Sequence, residues 1–224
     1  MEFRGGGTHS LAPAFTLAEV LVTLGIIGVI SAMTLPTLVK NHQRQVYVTQ
    51  LHKVVNEVSQ ALELYKNDNN AVGLLETPLR NNPAGLRDFV LRYFKVAKDC
   101  GTKYAPCYAD TIKELDGSQE YMVKNNQCNI VFTLASGAAI CMDVAQNQDG
   151  YSYEDEDGNI VNVAGVNAKD VLYMEVDING PKGPNLIGRD IIMGIGVSSD
   201  GQLYPENDDS YFAQIIDAGW KMEY

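Results

Sequence analysis

Apolar residues fill the chain from Phe15 to Val39, 25 positions holding one charged side chain, Glu19. A helix crossing a bilayer needs about 20 such residues, so the run predicts a membrane-spanning or filament-core helix. A carboxylate in hydrocarbon costs roughly 2.5–3.5 kcal/mol on insertion scales, and such groups are functional by default. Pro36 lies in the same run. It removes a backbone donor and crowds the preceding turn, which predicts a kink or a local loosening. Gly25 and Gly28 lower helix propensity and let neighbouring helices come close.

Past Val39 the pattern changes to one apolar stripe. Tyr47, Leu51, Val54, Val55, Val58, Leu62 and Tyr65 recur at helical spacing, with Arg44, Lys53, Asn56, Glu63 and Lys66 on the other faces. Such a helix buries its stripe against the rest of the chain. The cluster NDNN at 67–70 should end it. Residues 71–83 read as a loop with two prolines. Leu86, Phe89, Val90, Tyr93, Phe94 and Ala97 predict a second helix over about 84–98.

From Tyr121 onward the chain reads as short strands, at 129–134, 138–144, 171–178, 190–197 and 201–204. The turns ASG (135–137) and SSDG (198–201) join them into two hairpins. The polar stretch NQDGYSYEDEDGN (147–159) reads as an exposed loop. A last helix spans about 210–218, stopped by Gly219. The class is α+β: a long N-terminal helix, then a head built on an antiparallel sheet.

Charge narrows the functions. The 224 residues carry 28 acidic and 17 basic side chains, a net charge of −11. Such a chain repels phosphate backbones, so broad nucleic-acid binding is not expected. The histidines are His9, His42 and His52, all before residue 71. A Ser–His–Asp or Cys–His arrangement therefore cannot assemble from the head alone. No catalytic residue is assigned and no enzyme activity is expected.

Four cysteines, Cys100, Cys107, Cys128 and Cys141, all lie in the head. An even count in an exported domain points to two disulfides. Three pairings are possible, and the favoured one is Cys100–Cys107 with Cys128–Cys141. The second link lies out of register about ASG and requires the chain to bend near Cys128. Zinc is the rival; it lacks a CxxC and a head histidine. Free thiols are the remaining alternative.

Glu19 gains a role if the chain is cut between Ala14 and Phe15. The new amine on Phe15 shares a rigid turn with Glu19 of its own chain. It could instead meet Glu19 of a neighbour shifted along the helix axis. Phe15-Thr16-Leu17-Ala18-Glu19, the apolar run with Gly25 and Gly28, and Pro36 together resemble the N-terminal signature of type IV pilins and type II secretion pseudopilins. The resemblance covers about 30 residues. It implies a pilin-like fold, removal of residues 1–14 by a prepilin peptidase, methylation of the Phe15 amine, and assembly guided by Glu19, with Pro36 letting the helix stretch. The small residue before the cut is Ala14, where the family prefers Gly.

The implied organisation is a leader (1–14), a transmembrane or filament-core helix (15–39), an amphipathic extension (40–70) and a globular head (71–224). The implied partners are the peptidase, other copies of this chain or related pilins, and an inner-membrane assembly platform. The implied location is the inner membrane with the head outside the cytoplasm, then a periplasmic or surface filament. The alternatives are a minor pilin whose head binds a target at a filament tip, and an uncleaved single-pass anchor.

No cofactor is required by this reading, but calcium has a candidate place. In DINGPKGPNLIGRD (177–190), Asp177, Asn179, Asn185 and Asp190 offer oxygen ligands, and three glycines allow tight turns. Major pseudopilins of the family carry a calcium in a C-terminal β-loop. The plainer reading is a loop whose Asp and Asn side chains bond backbone N–H groups.

Overall fold

The computed structural model describes residues 15–145, 151–154, 160–163 and 170–224. Residues 1–14, Ala14 among them, lie outside this set. Contacts divide the chain into two units, one ending at Gln43 and the other running from Arg44 to Tyr224.

One helix, α1 (Leu17–Asp68), enters both units. In the first unit it stands as a lone helix with its apolar side chains exposed, among them Leu21, Leu24, Ile27 and Ile30. It is long and apolar enough to cross a membrane. The helix continues through Pro36, without the break that a local loosening there would require. In the second unit the stripe is buried as its spacing demands: Leu51, Val54, Val55, Val58, Leu62 and Tyr65 are inside, joined by Val48 and Ala61, with Tyr47 half-buried. The helix ends at Asp68, and just beyond it Asn70 has a left-handed φ of 51°, a conformation Asn tolerates better than most residues.

The head follows as α2 (Pro83–Tyr93), β1 (Val96–Asp99), β2 (Thr111–Lys113), β3 (Glu120–Met122), β4 (Ile130–Leu134), β5 (Ala139–Val144), β6 (Tyr151–Glu154), β7 (Ile160–Val163), β8 (Asp170–Asp177), β9 (Ile191–Ser198), β10 (Leu203–Pro205) and α3 (Tyr211–Asp217). A six-stranded antiparallel sheet has the order β1-β4-β5-β8-β9-β10. Two small hairpins, β2-β3 and β6-β7, stand apart from it.

Side chains alternate across a strand, and here both faces of the central strands are covered. Ile130, Phe132, Ile140 and Met142 join the larger core with Leu51 and Val58 of α1 and Leu86 and Phe89 of α2. Val131, Ala139, Cys141 and Ile191 face the other way, into a second core with Tyr104, Tyr108, Ile112 and Val123. Burial on both faces is why β4 and β5 read as nearly unbroken apolar runs.

Three expectations need correction. The second helix stops at Tyr93 rather than 98, because Phe94 is already extended (φ −111°, ψ 148°) and the chain turns into β1. The short strands β1 and β2 precede the region read as β, and β3 begins at its edge. Within 147–159, Tyr151–Glu154 is a strand paired with Ile160–Val163, so that stretch is not all loop.

Candidate functional site

At the start of α1, Thr16 and Glu19 bond to each other. The Glu19 carboxylate accepts the Thr16 backbone N–H at 2.9 Å and its hydroxyl at 3.0 Å. In return the Thr16 hydroxyl accepts the Glu19 N–H at 3.2 Å. This is a capping box, in which two otherwise orphaned donors are satisfied reciprocally. Its signal in the sequence is the S/T-x-x-E spacing of Thr16 and Glu19. Phe15 is 86% exposed. A Cβ placed on Gly25 or Gly28 would meet nothing within 4 Å, so both offer flat, open helix surface.

Disulfides join Cys100 to Cys107 and Cys128 to Cys141, with Cα separations of 6.1 and 5.8 Å. Cys128 sits just before β4, where its N–H donates to the Thr102 carbonyl at 2.9 Å. Asn129 then crosses to β5: its N–H donates to Asp143 Oδ1 at 2.6 Å, and its Oδ1 accepts the Val144 N–H at 2.8 Å. These bonds make the bend that brings Cys128 over Cys141. Both sulfurs beside Asp143 are thus committed to a disulfide, which does not fit a zinc site.

The loop 177–190 connects β8 to β9. Asp177 and Asp190, at its two ends, are both fully buried. Asp190 accepts the backbone N–H groups of Asn185 and Leu186 at 2.8 and 2.7 Å. Asp177 Oδ1 accepts the Asn179 N–H at 3.2 Å. These are the Asx-type bonds of the plainer reading, but they leave oxygens over. Asp177 Oδ2, Asn179 Oδ1 and Asn185 Oδ1 are buried without a hydrogen-bond partner. Burial, then the nearby Asp190 charge, pushes the Asp177 carboxyl up to about 8. Burial also raises Asp190, against the pull of its backbone hydrogen bonds.

Buried polar oxygens without partners cost about 1–3 kcal/mol each, and more when charged. A cation among them would remove that cost. All four predicted side chains belong to this one loop and its ends, and all donors are oxygen, the chemistry of a hard cation such as calcium. Sequence reasoning missed the loop's support. The backbone of Lys113 in β2 holds it: its N–H donates to the Asn185 carbonyl at 2.9 Å and its carbonyl accepts the Ile187 N–H at 2.8 Å. Tyr47 of α1 lies close enough for the charges of Asp190 and Asp177 to raise its phenol, although burial is the larger cause.

One more relationship was invisible in the sequence. His52 stacks on Trp220, with ring centroids 4.1 Å apart. Set against protein-family models, the curated proteins and the solved structures, the chain has no match in any of the three.

Proposed function

We propose that this chain is a structural subunit of a membrane-assembled filament of the type IV pilus or secretion pseudopilus kind. The observation that carries the reading is the contrast along α1. Its second half buries one stripe in the head, while its first half exposes apolar side chains on every face and holds one acid at its outer turn. A helix apolar all round belongs in lipid or in a bundle of like helices. Cleavage between Ala14 and Phe15 gives an amine that pairs with Glu19 of a neighbouring copy. Gly25 and Gly28 let those helices pack closely. The head remains outside the cytoplasm, where its disulfides persist.

Asp177, Asn179, Asn185 and Asp190 would hold a calcium ion in this reading. The ion supplies positive charge where two buried carboxylates meet, which ties the β8–β9 connection together. Its role is structural.

Intact-mass analysis of membrane-extracted protein, with electron microscopy of sheared cells, tests the reading. The expected result is a chain beginning at methylated Phe15 and present in filaments. A second reading, the uncleaved anchor, is favoured by the Thr16–Glu19 capping box, which occupies the acid within its own chain. Protein that still carries Met1 and builds no filament decides for the anchor.

A further inference from the structure

α3 ends in a Schellman motif. The Gly219 N–H donates to the Ile216 carbonyl at 2.9 Å, and the Trp220 N–H to the Ile215 carbonyl at 2.8 Å. Gly219 has the left-handed φ, +66°, that such a cap requires. Trp220 follows it at +60°, where a bulky side chain is an outlier. A residue in such a conformation persists only while its surroundings fix it there.

The surroundings are aromatic. The indole stacks on the His52 ring of α1, with centroids 4.1 Å apart and planes 28° from parallel. The Phe212 ring of α3 meets it edge-on at 6.3 Å. Beyond Trp220 the chain continues as a strap. Met222 is buried in the larger core, and the Tyr224 hydroxyl donates to the Gly188 carbonyl at 2.6 Å. Residues 219–224 thus leave α3, touch α1 at His52 and reach the β8–β9 connection at Gly188.

His52 is exposed, and among the described residues no hydrogen bond or ion pair reaches its imidazole. The charged groups beside it on α1 are Lys53 and Glu57. On the elements that carry the indole they are Asp217 at the end of α3, and Lys221 and Glu223, which pair with each other at 4.0 Å. An imidazole changes charge between about pH 5 and 8. An aromatic face attracts a cation within about 6 Å of its centroid, and indole does so best. A neutral imidazole stacks without that attraction. We propose that the His52–Trp220 stack is a proton-set clasp: protonation of His52 tightens residues 219–224 on α1, and loss of the proton loosens them. The left-handed Trp220 favours release once the grip weakens. Through Tyr224 and Gly188 the same proton steadies the connection between β8 and β9. The clasp works within a single chain, apart from any filament.

Trp220 is the one tryptophan of the chain, so its emission is read without overlap from a second indole. The test uses the full chain in detergent, as wild type, His52→Gln and His52→Arg, from about pH 5 to 8. Glutamine removes the titration and leaves every other charged group in place. Arginine keeps a cation that stacks on indole throughout that range. Wild-type emission should follow one titration curve that both variants lack. Amide hydrogen exchange of residues 220–224, corrected for its intrinsic pH dependence, should be about two- to fivefold slower in the wild type at the acid end, the size of an exposed cation–aromatic contact. His52→Arg should keep the slow value at the basic end, and His52→Gln the fast value at the acid end. Equal pH responses in wild type and His52→Gln overturn the proposal, as does faster wild-type exchange at the acid end. Emission that titrates while exchange stays constant also overturns it, because the proton then leaves the grip of the strap unchanged.

Discussion

The Glu19 carboxylate takes the backbone N–H of Thr16 at 2.9 Å, so the one acid in the apolar run already has a partner in its own chain. A cap of this kind is worth about 0.5–2 kcal/mol to a helix. That competes with any contact between chains, and the two roles respond differently to substitution.

Glutamine serves as well as glutamate at the third position of a capping box, but it carries no charge for a neighbour's amine. Glu19→Gln should therefore keep the start of α1 intact and still lose filaments. Glu19→Ala should lose both. The measurements are filament counts by electron microscopy and protein level in the membrane fraction. Normal filaments from Glu19→Gln would leave Glu19 only its capping role.

The loop 177–190 should respond to metal. Calcium added to chelator-treated protein should raise the melting temperature, by the equivalent of about 2.7 kcal/mol when calcium is a hundredfold above its Kd. Asp177→Asn should remove that response. Terbium, a calcium-sized probe ion, should luminesce in the wild type alone. A melting temperature indifferent to calcium would mean that the three orphaned oxygens are satisfied by water.

The Cys128–Cys141 bridge closes a span of 13 residues. Loops near this size give about 3 kcal/mol of stabilisation through the unfolded chain. Replacing both cysteines by alanine should lower stability by that order, measured by denaturant unfolding of the full chain in detergent. Non-reducing peptide mapping checks the pairing itself, and a Cys100–Cys128 peptide would contradict it.

Glu175 gives the head a pH dependence. Burial raises its carboxyl above the ordinary 4.5, the hydrogen bond from Tyr104 opposes the rise, and Asp143 adds to it. A carboxyl with a raised folded pKa binds its proton more tightly when folded. Its contribution is most favourable below about 4.5 and is lost as the pH climbs to the raised value. Glu175→Gln keeps an acceptor for Tyr104 without the charge, so it should flatten that part of the stability profile. Thermal melts from pH 4 to 8 measure it; identical slopes in both proteins would assign the dependence to other groups.

Local pattern determined much of this molecule. Periodicity alone separates the two halves of α1, because a helix exposed all round and a helix with one buried face leave different spacings. It also finds β4, β5, β8 and β9, whose apolar runs report burial. The candidate oxygen donors of the 177–190 loop are legible as residue types. Tertiary structure decided the rest. β1 is a polar, exposed edge, VAKD, and is a strand only because β4 offers it a ladder. The Cys128–Cys141 link depends on the Asn129 crossover to β5, which no spacing announces. That Asp177 and Asp190 are buried together, and that Arg44 and Arg189 share one groove with Glu114 and Asp116, follows from segments far apart in the chain meeting in space. Periodicity records which side of an element leaves water; it carries no information about which distant element covers it.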